Sequence, residues 1–367
     1  MTTMQKPEII QILWGLDRGG AERMAFQLAC GLRERNWRVR MIAAGGGGDL
    51  QEEIERTGIP LHIGPDTRNR FATLNFLRRE LPRRSSAIYH THLGADIWAG
   101  LIARTRGIPW VATAHSQEEH QPRLRTWMHE RMLRQATHVA CVSKEVQNRI
   151  WTQAHVPIKR TSVIPCGIDV QLFSTRAHIR HLHDIPRFIS VGRLVSGKRH
   201  ALLLEALAAI RRPWQLELVG DGPERSSLTR LAQRLGILPR IKFTGSVEPK
   251  RVAQLLQESD VFCFPSEQEG QGLSVLEAAT SGLPLILSNL PVYREWFQPN
   301  DVTFVHETTP HAWTSALEQI WTAPPTFFAR AEPIAQRVRD QASLDTMVMN
   351  YEAIYSQLTP HAHPSRQ

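Results

Sequence analysis

Residues 265–279 read Pro-Ser-Glu-Gln-Glu-Gly-Gln-Gly-Leu-Ser-Val-Leu-Glu-Ala-Ala and set two carboxylates, Glu269 and Glu277, around the loop Gly270-Gln271-Gly272-Leu273. The apolar run Val261–Phe264 precedes the loop and a helical pattern comes after it, so it joins a strand to a helix. Gly270 and Gly272 remove side chains where backbone can approach a ligand, and the free amides of a helix start suit a phosphate. Two carboxylates beside such a site repel the anion itself but suit hydroxyls flanking it, a ribose on one side and a sugar on the other. A plain glycine turn before a helix whose acids complement its dipole accounts for the same residues.

A second loop of the same kind reads Val191-Gly192-Arg193-Leu194-Val195-Ser196-Gly197-Lys198. Its two cations bracket a Gly-Ser turn and can converge on one diphosphate, Arg193 as a fork and Lys198 as a point charge. Solvated surface charge is the competing reading. Near the start of the chain, Gly19 and Gly20 precede a helical pattern and let backbone amides face a ligand, or simply form a tight turn. His115 ends the run Trp110–Ala114, where it can meet a substrate hydroxyl or serve as a satisfied structural histidine. His90 and His92 share a strand face; a metal there would need a third ligand that the sequence does not supply, which favours a structural role. No glycine loop completes G-x-G-x-x-G, which argues against a nicotinamide enzyme. No two aspartates are spaced as D-x-D.

These loops need elements to hold them. Apolar runs at 9–14, 39–44, 88–92, 110–114, 138–142 and 162–164 alternate with amphipathic stretches, and so do runs at 188–191, 215–219, 241–244, 261–264, 285–287 and 302–305. That alternation is the pattern of parallel sheets covered by helices, so the fold class is α/β with two doubly wound, Rossmann-like domains. Ala21, Met24, Ala25, Leu28, Ala29 and Leu32 form the clearest apolar helix face. Periodicity lapses between Gly167 and Arg187, where His178, Arg180, His181 and His183 cluster, which puts a first domain at 1–173 and a second at 174–343. The helical stretch 344–358 is expected to return to the first. Ligands of such sheets bind outside the carboxyl ends of the strands, so two facing domains are expected to take theirs in a cleft lined by these loops.

The chain has 367 residues, 42% hydrophobic and 22% charged, ordinary for globular domains and against disorder. No long uncharged apolar run spans a bilayer, and the first residues carry no basic start or cleavage site, so they read as a buried strand and not a signal peptide. Cys30, Cys141, Cys166 and Cys263 match no metal or disulfide spacing and fit reduced thiols of a cytoplasmic protein. The net charge of +9 is uneven: residues 1–173 hold 24 basic and 16 acidic side chains, the remainder 20 and 19. The first domain therefore faces an anionic partner: nucleic acid, membrane surface or phosphorylated substrate.

Read in order, Gly19-Gly20-Ala21-Glu22, Thr113-Ala114-His115, Val142-Ser143, Ile164 to Asp169, Val191-Gly192-Arg193 with Lys198, Val219 to Pro223, Phe243-Thr244-Gly245 and Glu269 to Glu277 resemble the retaining glycosyltransferases of family four, which have the GT-B architecture. The resemblance covers nearly the whole chain. It implies that Arg193 and Lys198 bind a donor diphosphate with amides of Gln271, Gly272 and Leu273, that Glu277 holds the ribose, and that Glu269 faces the donor sugar. His115 would meet that sugar from the other domain, Gly19-Gly20 would close over the diphosphate, and Gly245-Ser246-Val247 would lie beside the base. Transfer with retention and without a metal or other cofactor is implied too, in keeping with the missing D-x-D, the two cations neutralising the departing nucleotide. The sequence departs from the family at Cys166, where Asn is usual, at Gln271, where an apolar or aromatic residue is usual, and at Arg199, where Gly is common.

The expectation is therefore a glycosyltransferase using a nucleotide sugar, a UDP-sugar before others, on a glycan or lipid-linked acceptor of envelope, exopolysaccharide or lipopolysaccharide assembly. A non-catalytic relative and a GT-B sugar-nucleotide epimerase are the alternatives; nucleic-acid binding explains the charge but not the motifs. Arg68, Arg70, Arg78, Arg79, Arg83 and Arg84 surround Phe71, Leu74, Phe76 and Leu77, and Arg123, Arg125, Arg131 and Arg134 surround Trp127, Met128 and Leu133. These suit a peripheral site on the cytoplasmic face of the inner membrane, or else a solvated helix face over the core.

Overall fold

A computed structural model describes residues 6–17, 19–67, 69–83, 87–92, 94–115, 123–174, 182–322 and 328–359. The chain forms two compact units, Met1–Gly167 with Leu344–Gln367 and Ile168–Ser343.

In the first unit the described residues form seven parallel strands, β1 (Glu8–Leu13), β2 (Val39–Ala43), β3 (Leu61–Ile63), β4 (Ala87–His92), β5 (Trp110–Ala114), β6 (His138–Cys141) and β7 (Thr161–Val163), in the order β3-β2-β1-β4-β5-β6-β7. Helices cover the sheet, so its central strands read as continuous apolar runs; Ile9, Ile10 and Ile12 are all fully buried. The short edge strand β3 carries only half-buried side chains, Leu61, His62 and Ile63, and has no apolar run to announce it.

Helix α1 (Gly20–Glu34) comes after β1 and buries the face expected from its periodicity, with Phe26 in addition. The C-terminal helix, Leu344–Leu358, packs on α1 at Gly31. A Cβ on Gly31 would stand 2.5 Å from Val348 Cγ2, so the close approach requires glycine there. Glu352 on the same helix accepts from Trp37 Nε1 at 2.7 Å and from Lys6 and Arg35 at 3.3 Å.

The second unit has six parallel strands among the described residues, β8 (Arg187–Val191), β9 (Gln215–Val219), β10 (Ile241–Gly245), β11 (Val261–Phe264), β12 (Leu285–Ser288) and β13 (Thr303–Val305), in the order β10-β9-β8-β11-β12-β13. Its two faces bury separate cores. Phe262 and Phe264 join Leu276 and Tyr293 on one, and Val261 and Cys263 join Trp214 and Trp313 on the other, as the two-residue period of a strand requires.

The chain passes into the second unit between Gly167 and Ile168, ahead of the boundary after residue 173 that periodicity suggests. Ile168 N donates to Ala342 O at 2.7 Å, and Phe173 at the end of the short helix α7 (Val170–Phe173) packs into the core with Phe264. Of the histidine and arginine cluster expected in the linker, His178, Arg180 and His181 lie outside the described residues, whereas His183 Nδ1 stands 2.8 Å from Asp260 Oδ1.

Candidate functional site

In the second sheet the strand order reverses between β8 and β11. Loops at such a reversal splay apart and leave room for a ligand at the carboxyl ends of the strands. The loop after β8 carries Arg193 and Lys198, and the loop after β11 carries Glu269 and the glycine pair.

Backbone and side chains clamp these two loops together. Gly197 O accepts from Glu267 N at 2.8 Å and from Ser266 Oγ at 3.3 Å. Lys198 Nζ donates to Glu269 Oε1, which also accepts from Ser266 Oγ at 2.8 Å. The same ammonium lies 5.3 Å from the centre of the Phe264 ring. Arg199 pairs with Glu267 at 2.5 Å. Arg193, in contrast, is exposed and has no side-chain partner among the described residues, so its five donors are available to an anion.

The Arg193 loop is propped from behind by Gly220-Asp221-Gly222. Leu194 N donates to Asp221 O at 2.9 Å and Glu224 N to Leu194 O at 3.0 Å. A Cβ on Gly220 would meet Gly192 O at 2.1 Å, and one on Gly222 would meet Leu194 O at 2.4 Å, so only glycine permits this stacking of backbones. Gly220 N in turn donates to Gly245 O at 2.8 Å, which ties in the turn bearing exposed Ser246 and half-buried Val247.

Helix α11 (Leu273–Thr280) starts at Gly272, which adopts φ +82° and offers no side-chain cap. Val275 N and Leu276 N bond back to Gly272 O at 3.0 and 3.2 Å, which leaves the amides of Leu273 and Ser274, at the positive end of the dipole, without an intrahelical acceptor. Gln271 is buried, and Glu277 is half-buried on the second turn. Arg193, Lys198, Ser246, Val247, Glu269, Gly270, Gln271, Gly272, Leu273 and Glu277 thus gather at one edge of one sheet.

The first unit holds the remaining candidates at the corresponding edge of its own sheet, whose order reverses between β1 and β4. Gly19 and Gly20 open α1 after β1, and Glu22 folds back so that its Oε2 would stand 2.2 Å from a Cβ on Gly19. His115 lies just after β5, and its Nε2 stands 3.2 Å from His92 Nδ1. His90 and His92 hold structural positions: their rings lie 4.2 Å apart, and each is hydrogen-bonded within the sheet. Burial lowers the pKa of all three, His90 to about 3, His115 to about 4 and His92 well below the ordinary value, with mutual repulsion adding to it for His90 and His92. All three imidazoles are neutral at pH 7.

Sequence reasoning missed Ser266, Glu267 and Phe264, which hold Lys198, Arg199 and Glu269 in place. It also missed Gln11, buried in β1, whose one signal is a polar residue inside an apolar run.

The family profile described as "Glycosyl transferases group 1" matches residues 174–337, and the one described as "Glycosyltransferase Family 4" matches residues 18–172. EpsF of Bacillus subtilis, named as a glycosyltransferase, is 28% identical over 79% of this chain and 80% of its own length. D-inositol 3-phosphate glycosyltransferase of Mycolicibacterium gilvum is 26% identical over 66% of this chain and 60% of its own. Other curated relatives are spanned for about half of their length, such as 51% for an MMP alpha-(1->4)-mannosyltransferase of Mycolicibacterium hassiacum. Anabaena Alr3699/HepE in complex with UDP-glucose superposes with a TM-score of 0.85 at 17% identity, over 96% of this chain and 100% of that one. Sucrose-phosphate synthase of Thermosynechococcus elongatus gives 0.79 at 22%, over 96% and 99%. At such identities the likeness is one of fold, and that fold is GT-B.

Proposed function

The chain belongs to glycosyltransferase family 4, and we propose that it is a retaining, metal-independent member that moves a hexose-type sugar from a UDP-sugar to a glycan or lipid-linked saccharide in exopolysaccharide, lipopolysaccharide or other envelope assembly. The observation that carries this reading is the clamped pair of loops at the β8/β11 reversal. It joins a free guanidinium, a positioned ammonium, a helix start and two carboxylates, the set that a nucleoside diphosphate flanked by ribose and hexose hydroxyls requires.

Arg193, Lys198 and the amides around Gln271, Gly272 and Leu273 take the diphosphate and neutralise the charge that grows on it as the glycosidic bond breaks. That is the task a metal performs in other nucleotide-sugar enzymes, so the reaction needs none. Glu277 accepts from the ribose, Glu269 and His115 orient the sugar, Gly19 and Gly20 cover the diphosphate, and Ser246 and Val247 flank the base. The choice of UDP is supported by the Anabaena relative, whose structures hold UDP and glucose.

We assign the basic face of the first unit to an anionic membrane surface on the cytoplasmic side. Helix α4 (Asp96–Arg106) packs between α3 (Arg70–Glu80) and α5 (Arg123–Leu133). Together they expose Phe71, Leu101, Leu124 and Trp127 among Arg70, Arg78, Arg79, Arg131 and Arg134. Arg68, Arg84 and the Arg123 side chain lie outside the described residues. No helix of the described residues is long and apolar enough to cross a membrane, and exposed apolar side chains on helices that also expose arginine, with Arg131 5.9 Å from the centre of the Trp127 ring, suit an interfacial helix face, each cation near the surface adding about 1 kcal/mol. Sedimentation with anionic vesicles should fall on changing Arg70, Arg78 and Arg79 to Glu.

Calorimetric titration of UDP, GDP and ADP without metal, into wild type and Glu277→Ala, tests the donor site. Binding of UDP that weakens in the variant is expected. Equal affinity of both proteins for every nucleotide overturns the assignment.

A further inference from the structure

Gln11 on β1, His92 on β4 and His115 after β5 form one hydrogen-bonded chain across the first sheet. His92 Nε2 stands 2.7 Å from Gln11 Oε1, and His92 Nδ1 stands 3.2 Å from His115 Nε2. Gln11 and His92 are fully buried and His115 is half-buried. The strand order β1-β4-β5 makes the three elements neighbours, and the register that sets His92 opposite Thr113 brings the rings together.

A neutral imidazole has one N–H and one lone pair, and an amide oxygen only accepts. With the Gln11 amide turned so that Oε1 faces the ring, His92 carries its proton on Nε2, which leaves a lone pair on Nδ1. Two lone pairs cannot face each other at hydrogen-bonding distance, so the proton between the two histidines belongs to His115 Nε2. We propose that Gln11 and His92 are positioning residues that hold His115 as the neutral Nε2–H tautomer, with Nδ1 kept as a hydrogen-bond acceptor. On the function proposed above, on which this part rests, His115 then receives a hydrogen bond from a sugar hydroxyl and does not donate one.

Second contacts keep His92 from turning. The His90 ring lies beside it, tilted by 41°, and is itself held between Thr113 Oγ1 at 2.7 Å and the Tyr355 hydroxyl at 2.6 Å, and Thr113 Oγ1 lies 2.8 Å from the Tyr351 hydroxyl. The C-terminal helix thereby supports the chain from behind. Among the described residues the titratable groups near His115 are His92, His90 and Asp96; the last accepts from Thr91 and lies 3.0 Å from His129 Nε2. Burial outweighs the attraction of Asp96, and His115 stays neutral.

The test is a long-range proton–nitrogen correlation spectrum of the full chain labelled with nitrogen-15 histidine, above pH 7, with His115 identified by its loss in His115→Gln. Wild type should show His115 protonated at Nε2 and bare at Nδ1. Gln11→Glu keeps an acceptor and should keep that pattern, whereas Gln11→Met removes it and should give a mixture of tautomers or the Nδ1–H form. In the transferase assay Gln11→Met should lower kcat by roughly tenfold with little change in donor KM, and Gln11→Glu should recover most of it. An Nδ1–H tautomer in wild type, or a tautomer unmoved by Gln11→Met, overturns the proposal. Neither spectrum depends on transfer, so failure of the relay and failure of the transferase reading are told apart.

Discussion

The Lys198 ammonium and the Glu269 carboxylate form an ion pair that joins the loop after β8 to the loop after β11. Their side chains are 22% and 10% exposed, so neither is a freely solvated surface charge. One contact thus does two things: it fixes the distance between the loops, and it keeps a cation and an anion desolvated at the place where a diphosphate and a sugar are assigned.

Removing Lys198 should weaken UDP binding by about 1.5–3 kcal/mol, roughly 10- to 150-fold, because a charge-assisted hydrogen bond to phosphate is lost. Glu269→Gln keeps the shape and one acceptor, so UDP affinity should change less than the transfer rate. The two changes share a partner and should not add. Calorimetry and initial rates on both single variants and the double variant measure this, and strict additivity would show that the pair does not act as a unit.

Arg199 adopts φ +50°, a left-handed conformation that costs a residue with a Cβ about 1–2 kcal/mol. This is the position where the family commonly has Gly, and the backbone gives the reason. Arg199→Gly should raise stability by up to about 1 kcal/mol after the entropy of glycine and the loss of the partly exposed Glu267 pair are allowed for. Arg199→Ala keeps the strain, loses the pair and should be slightly less stable than wild type. Urea unfolding of the three proteins separates the two terms.

His200 opens helix α8 (His200–Ala208) fully buried, and neither ring nitrogen has a partner among the described residues. Burial, aided by the Lys198 charge, lowers its pKa to about 4. The unfolded chain takes up the proton near pH 6.5 and the folded chain only near 4, so stability is full above 6.5 and falls through that window at up to about 1.4 kcal/mol per pH unit. His200→Leu should remove this share of the acid sensitivity. It should also stabilise the protein at pH 7 by about 1 kcal/mol or more, since two unpaired polar atoms leave the core. Unfolding free energies at pH 7 and pH 5 check both, and an unchanged pH slope would count against the neutral buried ring.

The loops that build the candidate site were legible because glycine and charge stand where apolar runs end, and a parallel sheet places every such loop at one edge. The features that escaped reading depend on sheet order or on backbone angles. Ser266 and Glu267 act across 69 and 68 residues on Gly197 and Arg199, a pairing that exists only because β11 lies beside β8. The chain Gln11–His92–His115 exists only because β4 lies between β1 and β5. Arginine at 199 gives no hint of a positive φ. Strand β3 is half-buried and three residues long, too little apolar surface for periodicity to register. The unit boundary moved because Ile168 and Phe173 are apolar residues that pack with the second sheet and its helices.

Gly272 carries a double constraint that a single substitution can resolve. Its φ of +82° disfavours any side chain, and an added Cβ would stand 2.6 Å from Tyr293 Cε1. Tyr293 is fully buried, and its hydroxyl has no partner among the described residues, so its ring can move only by disturbing the core shared with Phe264 and Leu276. Gly272→Ala should therefore cost about 2–4 kcal/mol, of which backbone strain accounts for about 1–2 and overpacking for the rest. Adding Tyr293→Leu should relieve the overpacking but not the strain, so the double variant should lie closer to Tyr293→Leu alone than Gly272→Ala lies to wild type. UDP affinity should drop in Gly272→Ala and stay low in the double variant, because the tilt of the first-turn amides is set by the backbone and not by the ring. Unfolding and calorimetry on the four proteins test this; recovery of UDP affinity with Tyr293→Leu would show that the ring, and not the left-handed glycine, sets the geometry of the helix start.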